Sequence, residues 1–331
     1  MAAAAQPDSR IDTTISSLRR DLTSENVPLA RRFRALFSLK HVASQSPGPQ
    51  ATAAIEAIAA AFTSPSALLK HELAYCLGQT RNLAAVPFLR AVLEDRAEDA
   101  MCRHEAAEAL GALGDLSSLQ IMNQMKDDER EPVVVRETCD IAVDRINWAH
   151  SESRQSECLK SSDFASIDPA PPLPLSSETL SIPTLQATLL DTSLPLFQRY
   201  RAMFALRDLA SPPDLPTAET AVHALASGFK DPSALFRHEV AFVFGQLSHP
   251  ASIPALLAVL EDTEEESMVR HEAAEALGSL GEEPGVEEIL RRFLNDPEQV
   301  VRESVIVALD MAVYEKTGEM EYATIPTEIA A

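Results

Sequence analysis

The sequence predicts an all-α protein, an α-solenoid of helical hairpins in two tandem four-repeat halves that face each other. Only 10 of its 331 residues are Gly while 46% are hydrophobic, a composition that favours helices over strands. Apolar residues recur at helical spacing, with Pro or Gly about every 15 residues. Sequence motifs also return after 33 residues and again after 167. A period of this kind is typical of stacked helical repeats.

Each predicted repeat is a pair of helices, and the pairs follow one another along the chain. In the first half the pairs are 12–21 with 29–43, 50–63 with 66–79, 83–95 with 101–113, and 116–127 with 132–147. In the second half they are 182–191 with 198–210, 216–229 with 233–247, 251–262 with 268–281, and 284–295 with 298–315. Residues 1–10 and 317–331 are predicted to be tails.

A break in composition separates the two halves. The segment 150–180 is rich in Ser and contains the string Asp-Pro-Ala-Pro-Pro-Leu-Pro at 168–174, which cannot form the interior of a helix. We therefore predict an N-terminal half at 1–149, a linker at 150–180 and a C-terminal half at 181–331. The second half restates the first: the string RHEAAEALG at 103–111 returns letter for letter at 270–278.

The charge and the cysteines limit the classes of partner and site. A net charge of −22 argues against nucleic-acid binding and favours a cationic partner, although acidic surfaces can also serve only to keep a protein soluble. There is no signal-type N-terminal run and no stretch of 18 apolar residues, so we expect neither secretion nor membrane insertion. The four cysteines lack CxxC spacing, which favours reduced packing residues. We expect a cytoplasmic protein, with the nucleus as a second location.

A His-Glu dipeptide occurs four times, and its spacing indicates metal binding. The pairs are His71-Glu72, His104-Glu105, His238-Glu239 and His271-Glu272, with 33 residues between the histidines of each half and 167 between the halves. Each pair lies early in the second helix of its hairpin, after Pro65 and Pro232 in the first motif of each half. Equivalent helices of adjacent repeats lie about 8–10 Å apart, so their histidines can converge on one ion. The alternative is four unrelated surface or capping pairs.

The residue types narrow the metal. Two histidines and a carboxylate in each half, with no cysteine in the pattern, match the facial triad that binds non-haem iron(II). Two such half-sites brought together would make a di-iron centre. Zinc is the alternative, and it would indicate hydrolysis through a bound water. Glu108 and Glu275 follow His104 and His271 by four residues. They either hold the imidazoles as second-shell acceptors or are solvated helix residues.

These motifs bring a known family into view. The repeated LxxHELAYxLGQ-like and RHEAAEALG strings, the tandem halves and the Asp-Pro-Ala-Pro-Pro linker closely resemble deoxyhypusine hydroxylase. The resemblance extends over about residues 12–315, and all four His-Glu motifs are intact. It implies HEAT repeats and a di-iron monooxygenase with two Fe²⁺ per chain. The implied reaction uses molecular oxygen to convert the deoxyhypusine residue of translation initiation factor 5A to hypusine.

The resemblance also assigns roles to the eight residues of the motifs. It implies one iron at His71, His104 and Glu105, and the other at His238, His271 and Glu272. Glu72 and Glu239 are similar to substrate-binding carboxylates, although they can also be counted as metal ligands. Two other functions stay open, a non-catalytic HEAT-like repeat scaffold and a binuclear metal hydrolase.

Overall fold

The computed structural model contains only helices, turns and irregular segments among the residues it describes. These residues are 9–45, 48–152, 154, 157, 159, 163–174 and 181–317. Apart from residues 9, 10 and 317, which are helical, the predicted tails lie outside the described part. None of the described helices has the length and apolar character needed to cross a bilayer. The all-α prediction is confirmed.

Sixteen α-helices in the described part form eight consecutive hairpins, as predicted. In the first half they are α1 (Ser9–Thr23), α2 (Leu29–Ala43), α3 (Pro49–Ala59), α4 (Ala67–Gln79), α5 (Val86–Glu94), α6 (Ala100–Leu113), α7 (Leu119–Asp127) and α8 (Val133–Ala149). In the second half they are α9 (Ile182–Leu190), α10 (Leu196–Ala210), α11 (Ala218–Ala226), α12 (Ala234–Leu247), α13 (Ile253–Glu261), α14 (Ser267–Gly278), α15 (Val286–Arg292) and α16 (Gln299–Thr317). Short 3-10 turns adjoin six of the first helices of these hairpins.

Serine caps begin the two helices that carry the first His-Glu motif of each half. Ser66 accepts a hydrogen bond from the Leu69 amide at 3.0 Å, and Ser233 accepts one from the Phe236 amide at 3.1 Å. Each cap satisfies one of the amides that lack a partner in the first helical turn. Pro65 therefore lies just before the cap, one position earlier than a first helical residue.

A repeated arginine joins the two helices of five hairpins. Its Nε donates to the carbonyl ten residues earlier, at the end of the first helix, where carbonyls lack intrahelical partners. The pairs are Arg32 with Leu22, Arg103 with Leu93, Arg136 with Lys126, Arg199 with Leu189, and Arg270 with Leu260. A cation at this position also suits the negative end of the helix dipole. The same side chain thus fixes the crossing of successive hairpins.

The chain divides into two compact units at the boundary between Leu113 and Gly114. The first unit holds α1–α6 and the second holds α7–α16. Within the second unit, α8 of the fourth repeat packs against α10 and α12. The unit boundary therefore precedes the last repeat of the first half. The division by sequence repeats into 1–149, 150–180 and 181–331 stays a prediction, as does the facing arrangement of the halves.

The described part of the predicted linker, 163–174, contains no helix and is fastened to the second unit. The buried guanidinium of Arg207 donates to Asp168 Oδ2 at 2.8 Å and to Gln246 Oε1 at 2.9 Å. Gln246 Nε2 in turn donates to Ser166 Oγ at 2.8 Å. Arg207 belongs to α10 and Gln246 to α12, so this segment bridges two helices that belong to adjacent hairpins. It does more than connect the halves.

Candidate metal centre

The first His-Glu half-site lies in the first unit, on the adjacent helices α4 and α6. His71 and His104 are buried, with their ring centroids 5.4 Å apart and their planes inclined at 45°. The carboxylate of Glu105 approaches the first histidine, with 3.3 Å between His71 Nε2 and Glu105 Oε2. The two motifs therefore meet across one helix–helix contact, as equivalent positions of neighbouring repeats should.

The second half-site has the same geometry inside the second unit, on α12 and α14. The ring centroids of His238 and His271 are again 5.4 Å apart with a 45° inclination. Glu272 Oε2 lies 3.5 Å from His238 Nε2. One ligand atom from each of these three residues lies within 4.8 Å of the other two. The duplication visible in the sequence is therefore a duplication of geometry.

Small residues allow the two helices of each half-site to approach closely. Gly78 follows His71 by seven residues, two helical turns along the same face. A Cβ at Gly78 would lie 2.7 Å from the Cα of Ala109 on α6. The corresponding Gly245 on α12 is looser, because a Cβ there would lie 3.5 Å from the Cα of Ala276 on α14. The spacing of the first pair of histidines thus depends on the missing side chain of Gly78.

The two glutamates of each half-site have different surroundings. In both units, the carboxylate 3.3–3.5 Å from the first histidine belongs to the second motif, Glu105 or Glu272. Glu72 and Glu239 are buried as well, but they follow their own histidine by one residue, about 100° around the helix. This arrangement agrees with the division that the resemblance implies. The ligand and substrate roles of these residues stay predictions.

A second layer of polar groups lies behind the histidines. Glu275 Oε1 is 3.6 Å from His271 Nδ1, and the hydroxyl of Ser304 donates to the same oxygen at 3.0 Å. Ser304 Oγ is also 3.5 Å from His271 Nδ1. In the first unit, ligand atoms of Glu108, His104 and Glu105 lie within 4.8 Å of one another. Both glutamates predicted for this layer therefore lie beside the sites.

Sequence reasoning missed Ser304. It follows His271 by 33 residues, the same interval that separates the histidines of each half, so the repeat register alone could have identified it. An outer hydrogen-bond partner of this kind orients a ligating imidazole and fixes which ring nitrogen carries the proton.

The chemistry of both half-sites fits a divalent metal. A metal bonded to N and O at about 2.0–2.2 Å holds its ligand atoms at most about 4.4 Å apart, so the observed separations need only a small adjustment. Burial raises the pKa of Glu105 well above its usual range, because an ionised carboxylate is costly away from water. A bound cation would offset that cost. Burial also raises the pKa of the Cys76 and Cys102 thiols, which disfavours them as ligands because a metal binds the thiolate.

Comparison with known proteins identifies the family. A family model described as HEAT repeats matches residues 53–139 and 222–310. A protein of Phaeosphaeria nodorum named deoxyhypusine hydroxylase is 72% identical over 95% of this chain and 96% of its own length. One of Coccidioides immitis with the same name is 76% identical over 93% of this chain and 92% of its own length. The chain belongs to the deoxyhypusine hydroxylase family.

A solved structure of human deoxyhypusine hydroxylase in complex with glycerol agrees with this assignment. Its TM-score is 0.81 at 44% sequence identity, covering 92% of this chain and 98% of the human chain. The HEAT-repeat solenoid predicted from the sequence is confirmed. Membership in the deoxyhypusine hydroxylase family makes the chain an enzyme, which argues against the non-catalytic scaffold. It also implies a metal cofactor, for which the two half-sites supply suitable groups.

Proposed function

We propose that this chain hydroxylates the deoxyhypusine residue of a protein substrate, translation initiation factor 5A, using molecular oxygen and two iron ions. The observation that carries the proposal is the duplicated buried half-site in a chain of the deoxyhypusine hydroxylase family. Imidazole and carboxylate donors without thiolate suit iron(II), and a triad leaves coordination positions for other ligands.

The ligands divide evenly between the two halves in this proposal. His71, His104 and Glu105 hold one iron, and a corresponding triad in the second half holds the other: His238, His271 and Glu272. The bound iron would supply the activation of molecular oxygen that a hydroxylation requires. The protein's own contribution is to exclude water, since all six side chains are buried, and to orient the imidazoles.

The hydrogen bonds behind the second triad favour one orientation of its imidazole. Glu275 and Ser304 lie beside His271 Nδ1, which leaves Nε2 as the nitrogen directed to a metal. Such outer groups also raise the basicity of the ligating nitrogen. Glu108 takes the corresponding place next to His104.

Glu72 and Glu239 bind the substrate in this proposal. Deoxyhypusine is an aminobutyl-lysine, so its side chain carries two amines that are positively charged at neutral pH. Buried carboxylates bind such groups through charge-assisted hydrogen bonds. The net charge of −22 adds a long-range attraction for a cationic partner.

Metal analysis and a hydroxylation assay on the full chain test this function. We expect iron well above zinc, close to two ions per chain, and oxygen-dependent addition of one oxygen atom to the deoxyhypusine side chain, detected by mass spectrometry. His71→Ala and His271→Ala should each lower the iron content and abolish hydroxylation. His223→Ala is the matched control, because that imidazole is largely exposed on α11. Zinc in place of iron, with no oxygen dependence, would instead support the binuclear hydrolase.

Two further variants test the division between ligands and substrate carboxylates. Glu72→Ala and Glu239→Ala should keep most of their iron but bind the substrate about tenfold to a hundredfold more weakly, the loss typical of a charge-assisted hydrogen bond. Iron loss as complete as in the histidine variants would make both glutamates ligands and overturn this division.

A further inference from the structure

A cavity of about 630 Å³ lies inside the second unit, among the first turns of α8, α10, α12 and α14. Apolar side chains form much of its wall, among them Val134, Leu196, Leu235 and Met268. The carboxylate of Glu137 also lines it. This volume lies within the range of about 300–1,000 Å³ that is typical of small-molecule sites, which combine apolar walls with a few polar groups.

The charged groups of the cavity favour a cation. Three of its lining residues are acidic, Glu137, Asp231 and Glu266, and one is basic, Arg199. Arg199 forms a buried salt bridge with Asp231, so its charge is already balanced. Glu137 accepts a hydrogen bond from Ser233 Oγ at 2.7 Å. Burial raises the pKa of Glu137, and the bond from Ser233 only partly opposes this, so a cation beside the carboxylate would be strongly stabilising.

The cavity adjoins the second half-site. Leu235 and Met268 line it, and they precede His238 and His271 by three residues on α12 and α14. Side chains three residues apart lie on the same side of a helix, about one turn from each other. One helical turn rises about 5.4 Å, which is close to the length of an extended four-carbon arm. A side chain whose carbon reacts at the half-site could therefore place a terminal nitrogen in this cavity.

We propose that the cavity binds the aminobutyl arm of the substrate side chain and that Glu137 pairs with its terminal ammonium. The inference rests on the proposed function, since it takes deoxyhypusine as the substrate. It adds a carboxylate in the fourth repeat to the two glutamates of the His-Glu motifs. The secondary amine of the substrate is left to those glutamates, and the apolar wall packs against the methylene groups.

The second half of the chain supplies a matched control for Glu137. The string Val-Val-Arg-Glu occurs at 134–137 and again at 300–303, so Glu303 occupies the same place in the fourth repeat of the second half. Its Oε1 accepts a hydrogen bond from Gln299 at 2.8 Å on the same helix, and it does not line the cavity. Glu303→Gln therefore removes an equivalent charge without touching the site.

The test is a binding titration of the iron-loaded full chain without oxygen, so that no turnover occurs. One ligand is the substrate protein carrying deoxyhypusine. The other carries N6-butyllysine at the same position, which lacks only the terminal amine. Glu137→Gln should weaken binding of the first ligand about tenfold to a hundredfold and leave binding of the second within about twofold. Glu303→Gln should change neither.

Each outcome decides something definite. Unchanged binding of deoxyhypusine by Glu137→Gln, or equal weakening of both ligands, overturns the inference. A wild-type chain that binds both ligands equally would instead count against the proposed function. If Glu137→Gln does not fold by circular dichroism, Leu196→Phe, which fills the cavity from α10, replaces it. That variant should weaken both ligands, and unaltered affinity there would also overturn the inference.

Discussion

Substitution of the glycine between α4 and α6 should damage the first half-site alone. An added Cβ at Gly78 would lie 2.7 Å from the Cα of Ala109, whereas ordinary contact begins near 3.4 Å. The obstructing atom is backbone, so α4 must move by about 0.7 Å. Metal sites tolerate displacements of only about 0.5 Å. Gly78→Ala should therefore separate His71 from His104 and weaken metal binding in the first half-site.

The stability change follows from two opposing effects. Overpacking costs about 1–3 kcal/mol, while replacing Gly with Ala inside a helix gains up to about 1 kcal/mol. Gly78→Ala should lower the free energy of unfolding by up to about 2 kcal/mol. Gly245→Ala at the equivalent position has room for its Cβ, 3.5 Å from the Cα of Ala276, and should be neutral or stabilising.

The assay is urea unfolding of both variants, followed by iron analysis after dialysis against a weak chelator. We expect Gly78→Ala to lose up to one iron per chain and Gly245→Ala to keep both. Equal stability and equal iron content in the two variants would refute the argument that this close approach sets the histidine spacing.

Two further predictions follow from the polar contacts of the second unit. Ser304→Ala removes a donor beside His271 and should weaken metal binding about tenfold to a hundredfold, measured as iron release to a chelator; Ser252→Ala, another buried serine, is the control, and equal release from both would contradict the role. The second concerns Asp296: burial alone would raise its pKa, but hydrogen bonds to the Arg270 guanidinium lower it below the model value of 3.8. The group therefore stabilises the fold fully above the unfolded pKa and loses this contribution as the pH falls through the lower folded value, so Asp296→Asn should flatten the acid limb of stability below about pH 4. An unchanged acid limb in urea titrations would rule this out.

The sequence by itself determined the helices, their pairing and the register of the His-Glu motifs. Apolar spacing and helix-ending prolines act over a few residues, so the eight predicted hairpins correspond to helices in the structure. The 33-residue interval is also sufficient to place His71 beside His104, because equivalent positions of adjacent repeats share a face. That the chain belongs to the deoxyhypusine hydroxylase family was likewise visible in these strings.

Only the tertiary structure decided which groups meet beyond the repeat register. Glu72 and Glu105 are both carboxylates of the same motif, and the packing angle of the two helices determines that Glu105 approaches His71. Gly78 and Gly245 are identical in sequence terms, but their clearances differ by about 0.8 Å. The contact of Glu137 with Ser233 joins residues 96 positions apart. Such contacts depend on side-chain volumes and helix crossings summed over several hairpins, and local periodicity carries no information about them.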